Sequence, residues 1–266
     1  MARTKSLPDE KSLPLVLHWD QRDNPLPRRA VRHPARARRQ TIGLEMPPAL
    51  HTGPVDQPFD FCRHIRRLCG DVARHCPELK HIDVSRLLFG MTQARSGRMK
   101  GLQARVTPMR CRHGRLTRRC DDDRLYQVQR YFVDGREMLY LVTFCLPRFL
   151  DQPFDDKFIT LFHELYHISP HFEGDLRRHE GRCDLHSRSK HLYDVHMAHL
   201  ARAYLSNGAN RSLHDFLRLN FAQLAHRHGS VGGVVVPRPR LLPVPEPDAD
   251  VSVPLGSRDL PRAANQ

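Results

Sequence analysis

The sequence predicts an α+β domain flanked by two disordered tails. Strand-like segments fill the first half of its central region and helix-like segments fill the second half, an order typical of α+β folds. Residues 1–55 are rich in proline and arginine, residues 234–266 are rich in proline, aspartate and small residues, and neither segment shows sustained periodicity. We therefore expect a basic disordered arm over 1–55, one folded domain over 56–233 and a disordered tail over 234–266.

The first predicted element is a helix within residues 59–79. Cys62, Cys69 and Cys76 recur there at every seventh position, and further apolar residues fall at helical spacing between them. The chain has seven cysteines, an odd number, and no CxxC pair, so it does not resemble a disulfide framework. We expect reduced thiols that are buried on the apolar face of this helix.

Strands are predicted next, before the helical half of the domain. Asp134 and Gly135 form a two-residue hairpin signal, because both residues tolerate the positive φ that such turns need. Residues 138–146 are almost continuously apolar, which predicts a central strand that is buried on both faces. The predicted strands cover residues 81–89, 101–109, 124–133 and 136–146.

The pattern then changes to the period of a helix. Apolar residues recur at helical intervals from Phe158 to Ile168, and Asp155 and Asp156 before them suit a helix N-terminus. Pro170 ends this helix, because the residue before a proline avoids the α region. Two further helices are predicted over residues 188–205 and 212–228.

The first of these helices contains an HExxH motif formed by His163, Glu164 and His167. Residues four apart lie on one face of a helix, so both imidazoles could ligate one Zn²⁺ ion. Glu164 would stand beside the metal and act as general base on a zinc-bound water, whose pKa the metal lowers to about 7. Composition predicts only about 0.04 chance matches in a chain with 18 histidines. We therefore interpret the motif as a metal site.

A catalytic zinc site normally takes a third protein ligand and leaves one position for water. The metzincin spacing is excluded, because Pro170 and Glu173 occupy the positions that would need glycine and histidine. His171 would need a sharp bend after Pro170, since on a continuing helix it lies about 12 Å along the axis from His163. The downstream candidates are His171, Glu173, Asp175, His179 and His186. Residue types and spacing alone leave the choice among them open.

The motif belongs to a longer block of distinctive sequence. Its segments are His163–Pro170, Phe172–Arg178, Gly181–Arg182, His186–Ser187 and Tyr193–Asp194, preceded by Gly101–Ala104 and Leu146–Phe149. Together these residues resemble the phage-type metallopeptidase domain, a zincin-like family found in phage, bacterial and archaeal proteins. The resemblance covers roughly residues 80–200, which is under half the chain.

The resemblance implies a zincin-like fold, in which the HExxH helix packs against a mixed, mostly antiparallel sheet and further helices. It implies a zinc metallopeptidase that acts on protein or peptide substrates. The metal pair would be His163 and His167, and the general base would be Glu164. The third ligand would be His186, with His179 as the alternative.

Other polar residues near the motif have an ordinary and a functional interpretation. Asp194 could orient a ligand histidine, although a solvated surface aspartate is the ordinary interpretation. Tyr166 and Tyr193 could stabilise a reaction intermediate, whereas core packing is the ordinary role of such tyrosines. Arg177 and Arg178 could bind a substrate carboxylate or an oxyanion, whereas loop arginines are expected in a chain this basic.

The net charge of +14 suggests a second function class. Cationic chains gain affinity for nucleic acids by releasing counterions from phosphates. The alternative hypothesis is therefore a basic, nucleic-acid-associated protein with a structural metal site, and the arginine-rich arm could bind nucleic acid without sequence specificity. The sequence does not predict an oligomeric state.

The sequence also bears on location in the cell. No stretch approaches the roughly 18 to 20 consecutive apolar residues that span a bilayer. The first residues contain no apolar core of the length that a secretory signal needs. We therefore expect a cytoplasmic protein with no membrane partner.

Overall fold

The computed structural model describes residues 16–32, 50–95, 101–178 and 190–244. Within these ranges the chain is an α+β fold with twelve strands and five α-helices. The strands are β1 (Val16–Trp19), β2 (Arg28–Ala30), β3 (Phe59–Asp60), β4 (Leu87–Gln93), β5 (Ala104–Pro108), β6 (Thr117–Arg119), β7 (Leu125–Val128), β8 (Arg130–Val133), β9 (Arg136–Met138), β10 (Tyr140–Leu146), β11 (Val231–Val234) and β12 (Leu241–Pro243). The helices are α1 (Phe61–His75), α2 (Phe154–Tyr166), α3 (Lys190–Ser206), α4 (Arg211–His214) and α5 (Phe221–His228).

The strands form four small sheets rather than one. Each described sheet has three strands, in the orders β1-β8-β9, β4-β10-β5, β2-β11-β3 and β12-β7-β6. Five of the neighbouring pairs are antiparallel and three are parallel. The predicted mixed, mostly antiparallel character is therefore confirmed, but it is distributed over several sheets.

The predicted central strand is confirmed as β10. It lies between β4, which is parallel to it, and β5, which is antiparallel. Val142 and Phe144 are fully buried on one face, and Leu141 and Cys145 are 2% and 7% exposed on the other, as expected for a strand covered on both faces. Helix α1 contacts β4 and helix α2 contacts β5, so the two helices are associated with opposite edges of this sheet.

The predicted hairpin is confirmed between β8 and β9. Asp134 and Gly135 have φ values of 48° and 73°, the positive range expected of this turn. The single strand predicted over 136–146 is wrong, because the chain changes sheets at Leu139. The Leu139 amide donates to the Arg86 carbonyl, and its carbonyl accepts from the Met109 amide. These bonds end the pairing with β8 and begin the sheet that contains β10.

The cysteine-rich helix is α1. The Asp60 side chain caps it by accepting from the Arg63 amide. Cys62, Cys69 and Cys76 are buried free thiols, as predicted. Burial raises the pKa of Cys62 to about 12, so this thiol stays protonated at neutral pH.

The helix predicted over 212–228 is instead two helices joined by a short 3-10 segment, Asp215–Arg218. Asn220 starts a new helix there, because its side chain accepts from the Gln223 amide while the Gln223 side chain accepts from the Asn220 amide. Lys157 of α2 donates from Nζ to the Leu217 and Leu219 carbonyls, both at 2.8 Å. The break thus leaves two carbonyls that a buried lysine satisfies.

Strands also form within both segments that were expected to be disordered. β1 pairs with β8 and β2 pairs with β11, so residues 16–32 contribute to the fold. β12 pairs with β7, so the fold extends past residue 233. The edge-on contact between Trp19 and Tyr131, with ring centroids 5.1 Å apart, anchors β1. The remainder of both segments lies outside the described residues.

The main hydrophobic core joins α1, α2 and α3 to the sheet around β10. Phe61, Phe144 and Phe149 form an aromatic cluster in it, with ring centroids 4.7 to 5.8 Å apart. None of the helices in the described ranges has the length and apolar character needed to cross a bilayer.

Candidate functional site

The two motif histidines lie together at the C-terminal end of α2. Phe158, Leu161 and Leu165 are almost fully buried and fix the orientation of the helix. His163 and His167 lie one turn apart, with ring centroids separated by 4.7 Å and planes at 80°. The predicted juxtaposition of two imidazoles on one helix face is therefore present.

Tyr193, near the start of α3, covers this histidine pair. Its ring lies 4.8 Å from the His163 ring, and it stacks on the His167 ring at 5.8 Å with an interplanar angle of 23°. Tyr193 is only 3% exposed, and burial raises the pKa of its phenol. This side chain packs against the site, which agrees with its ordinary interpretation.

Asp194 follows Tyr193 and faces the first motif histidine. Its Oδ1 lies 3.5 Å from Nδ1 of His163, within ion-pair distance but longer than the 2.7 to 3.2 Å of an ordinary N–H···O hydrogen bond. A carboxylate at Nδ1 orients an imidazole so that Nε2 becomes the ligating nitrogen. The side chain of Asp194 is 40% exposed, so its contact with His163 is on the solvent side.

Glu164 is buried against the edge strand β5. Its Oε2 accepts a hydrogen bond from the Val106 amide at 2.6 Å. Burial raises the pKa of Glu164 to about 7, although the Val106 N–H and the charge of Arg105 act in the opposite direction. A carboxyl group with this pKa can both accept and return a proton near neutral pH.

The chain turns sharply after α2 and returns along its end. Ile168 pairs with Leu176, and the Arg177 amide donates to the His167 carbonyl at 2.7 Å. Arg177 also donates from Nε to the Tyr166 carbonyl and lies 4.0 Å above the Tyr166 ring. Arg177 therefore completes the end of α2, which is a structural role.

Three of the five proposed third ligands lie in this returning segment. Both carboxylate oxygens of Glu173 accept from the Ser169 hydroxyl. Asp175 accepts from the amides of His113 and Leu176 and from Arg178. His171 is exposed on the turn. The two carboxylates thus have structural hydrogen bonds, and across the described ranges no three His, Cys, Asp or Glu side chains group as a metal site.

His179 and His186 lie outside the described residues, so both remain predictions as third ligands. The described residues that bracket them are near the histidine pair. Arg177 bonds to the backbone of His167 before the gap. Tyr193 stacks on the same histidine after it. The described residues on either side of the gap therefore lie beside the candidate site.

The chemical types of the side chains at this site are suitable for zinc. Two imidazoles one helical turn apart, a carboxylate beside one of them and a buried glutamate are groups of the kinds that occur in catalytic zinc centres. One more protein ligand would complete the three that such a centre takes. His163 and His167 supply two nitrogen donors, which suit zinc better than Mg²⁺ or Ca²⁺.

Two contributors to this region were missed by sequence reasoning. The Val106 amide holds the carboxylate of Glu164, and the Tyr140 hydroxyl accepts from the Gly174 amide and donates to the Asp175 carbonyl. Every residue except proline carries a backbone amide, so no sequence signal distinguishes Val106. Tyr140 was predicted only as part of an apolar strand.

Comparison with known proteins found no matching family model, no matching curated protein and no matching solved structure. The resemblance to phage-type metallopeptidases therefore rests on the residues around the motif.

Proposed function

We propose that this protein is a zinc-dependent hydrolase, and most specifically a metallopeptidase with a zincin-like arrangement. The observation that carries the proposal is the pairing of His163 and His167, with ring centroids 4.7 Å apart, next to the buried carboxyl of Glu164. The packing of α2 against the edge strand β5 of a mixed sheet supports the zincin-like part of the proposal.

His163 and His167 would hold the metal, and Asp194 would orient His163 through Nδ1. His186 would be the third ligand, with His179 as the alternative. When bound, zinc would supply a Lewis acid that lowers the pKa of a water molecule to about 7.

Glu164 would accept the proton of the attacking water and return it to the leaving amine. The carboxyl is suited to both steps because burial raises its pKa to about 7. The bond from the Val106 amide fixes one oxygen of the carboxyl, so the other can face the reacting groups. Glu164 alone would then serve both as general base for the attack of water and as general acid for the departure of the amine.

The alternative function is a basic, nucleic-acid-associated protein with a structural metal. A structural zinc site takes four protein ligands and leaves no position for water. A buried glutamate beside the ligands has no role in such a site. The two functions therefore differ in what the loss of Glu164 should do.

The test replaces Glu164 with glutamine in the full chain. The amide oxygen of glutamine can still accept from Val106, so Glu164→Gln should fold and retain zinc. Hydrolysis of fluorophore-labelled casein should fall by about 100-fold or more, because general-base catalysis is lost. Glu78→Gln, an exposed position after α1, is the matched control and should keep wild-type activity. Equal zinc-dependent rates for Glu164→Gln and wild type would contradict the proposal.

A further inference from the structure

A cavity of about 550 Å³ lies away from the histidine pair. Its walls come from α1, β4 and the β8–β9 hairpin, with a contribution from β2. Helix α2, which carries the motif, is on the β5 edge of the β10 sheet, whereas this cavity is on the β4 edge. None of the motif residues lines it. We call it the arginine cavity, after Arg63, Arg66 and Arg67, which line one wall.

The arginine cavity has an excess of positive charge. Arg28 forms an ion pair with Asp60, so these two charges offset each other. Asp134 lies at the hairpin turn and accepts from the Gln21 amide. Among the described residues, no acidic side chain lies within ion-pair distance of Arg63, Arg66 or Arg67. Burial lowers the pKa of the neighbouring His64, and the charges of Arg67 and Arg63 contribute to this shift.

The position of these arginines on α1 is unfavourable for the isolated helix. Residues 63, 66 and 67 are three and four positions apart, so their like charges are neighbours on one face. Arg63 also lies in the first turn, where the helix dipole disfavours cations, and the N-cap Asp60 is the one acidic side chain beside that turn. An anion in the arginine cavity would relieve both repulsions.

The opposite part of the cavity is apolar. Leu87, Leu88 and Phe89 of β4 line it together with Met138. These four side chains are at most 5% exposed, so the accessible apolar surface comes from Leu26 and Val133, which are half-buried and also line the cavity. A small inorganic anion would not use this surface. The volume is within the range of pockets that bind small organic ligands, roughly 300 to 1,000 Å³. The lining thus fits a molecule with an anionic group and a compact apolar or planar body.

We propose that the arginine cavity binds a nucleoside phosphate, either a free mononucleotide or one unit of a single-stranded nucleic acid. The phosphate would contact Arg63, Arg66 and Arg67, whose guanidinium groups match phosphate oxygens in bidentate geometry. The base would lie on the apolar surface formed by Leu26 and Val133. The compact volume favours a nucleoside over the long acyl chains of a phospholipid. This site goes beyond the proposed hydrolase, with which it shares no residue.

The test titrates the full chain, freed of metal by a chelator, with thymidine 5′-monophosphate and with a short oligothymidylate. Arg66→Gln/Arg67→Gln should weaken binding by at least about tenfold, because charge-assisted bonds to phosphate are lost. The matched control, Arg112→Gln/Arg115→Gln, removes two exposed arginines outside the cavity and should change affinity less than about twofold.

Binding of both probes supports a free nucleotide, and binding of the oligothymidylate alone supports a nucleic-acid strand. An equal loss of affinity in the two double-arginine variants would overturn the proposal, because it would show that binding depends on overall positive charge and not on this cavity. Equally tight binding of inorganic phosphate or of a phosphoserine peptide would also overturn it, as would no saturable binding by folded protein. Because the titration contains no zinc, its failure is distinct from failure of the hydrolase proposal.

Discussion

The pKa of Glu164 is set by two opposing effects. Burial disfavours the charged form, while the Val106 amide and the charge of Arg105 favour it. The pKa of about 7 shows that burial is the larger influence. A solvated glutamate would be a weaker proton acceptor at neutral pH, and a fully isolated one would remain protonated.

The single-residue prediction concerns Asp194. Asp194→Asn should weaken zinc binding by roughly tenfold, because the carboxylate that orients His163 loses its charge. The fold should be unaffected, since this side chain is 40% exposed. A competition titration with a chromophoric chelator measures the affinity. Asp121→Asn, on an exposed loop, is the control and should bind zinc as the wild type does. Unchanged affinity in Asp194→Asn would remove Asp194 from the site.

One hydroxyl makes two of the hydrogen bonds that hold the turn after α2. The Tyr140 hydroxyl accepts from the Gly174 amide at 3.0 Å and donates to the Asp175 carbonyl at 2.8 Å. Tyr140 belongs to the buried strand β10, so this contact fixes the returning segment to the sheet. The segment in turn pairs with the last residues of the motif helix. The orientation of the histidine pair therefore depends on a strand that contains no catalytic residue.

Tyr140→Phe should destabilise the protein by about 1 to 3 kcal/mol, because the buried Gly174 amide loses its partner and the Asp175 carbonyl keeps only its bond from the Ser169 amide. Urea unfolding of the metal-free protein measures this change. Tyr126→Phe is the matched control, since its hydroxyl bonds to the exposed carboxylate of Asp122 and water can replace it. The control should lose less than about 0.5 kcal/mol. Equal effects of the two substitutions would show that the turn does not depend on Tyr140.

The whole domain contains several histidines that are better accommodated in the neutral state. Burial lowers the pKa of His64, His81, His214 and His228. The unfolded chain therefore binds protons before the folded protein does as the pH falls below about 6.5. Stability should decrease over that range. Glu164 acts in the opposite direction between pH 7 and about 4.5, but it is one group against four.

The urea midpoint of the metal-free protein should accordingly be lower at pH 5.5 than at pH 7.5. His214→Phe should reduce this difference, because the His214 ring packs against both Phe154 and Phe158, and a phenyl ring at this position cannot be protonated. His199→Phe, at an exposed position of α3, should leave the difference unchanged. A midpoint that rises on acidification would contradict this account of the buried histidines.

Local patterns explain which parts of the fold were predictable. The apolar run that became β10 and the helical spacing that became α2 are properties of adjacent residues, so both were identified. The pairing of Val16–Trp19 with β8 depends on backbone contacts more than 100 positions apart in the chain, which no local pattern reveals. The change of sheet at Leu139 has the same origin.

In the candidate site, too, only the features that depend on local spacing could be predicted from the sequence. His163, Glu164 and His167 are defined by spacing on one helix, and the first and last of them lie together in the structure. The structural use of Glu173 and Asp175 depends on a turn that folds back on α2, so the sequence could not remove them as candidates. His186 and His179 remain predictions.

The most direct test of the central claim is the zinc content of the purified full chain, measured by mass spectrometry after dialysis. The account predicts about one zinc ion per chain for the wild type and for Glu164→Gln. It predicts loss of zinc from His163→Ala and from His167→Ala, each with folding verified by circular dichroism. A wild-type chain without zinc, or variants of both histidines that keep it, would contradict the account.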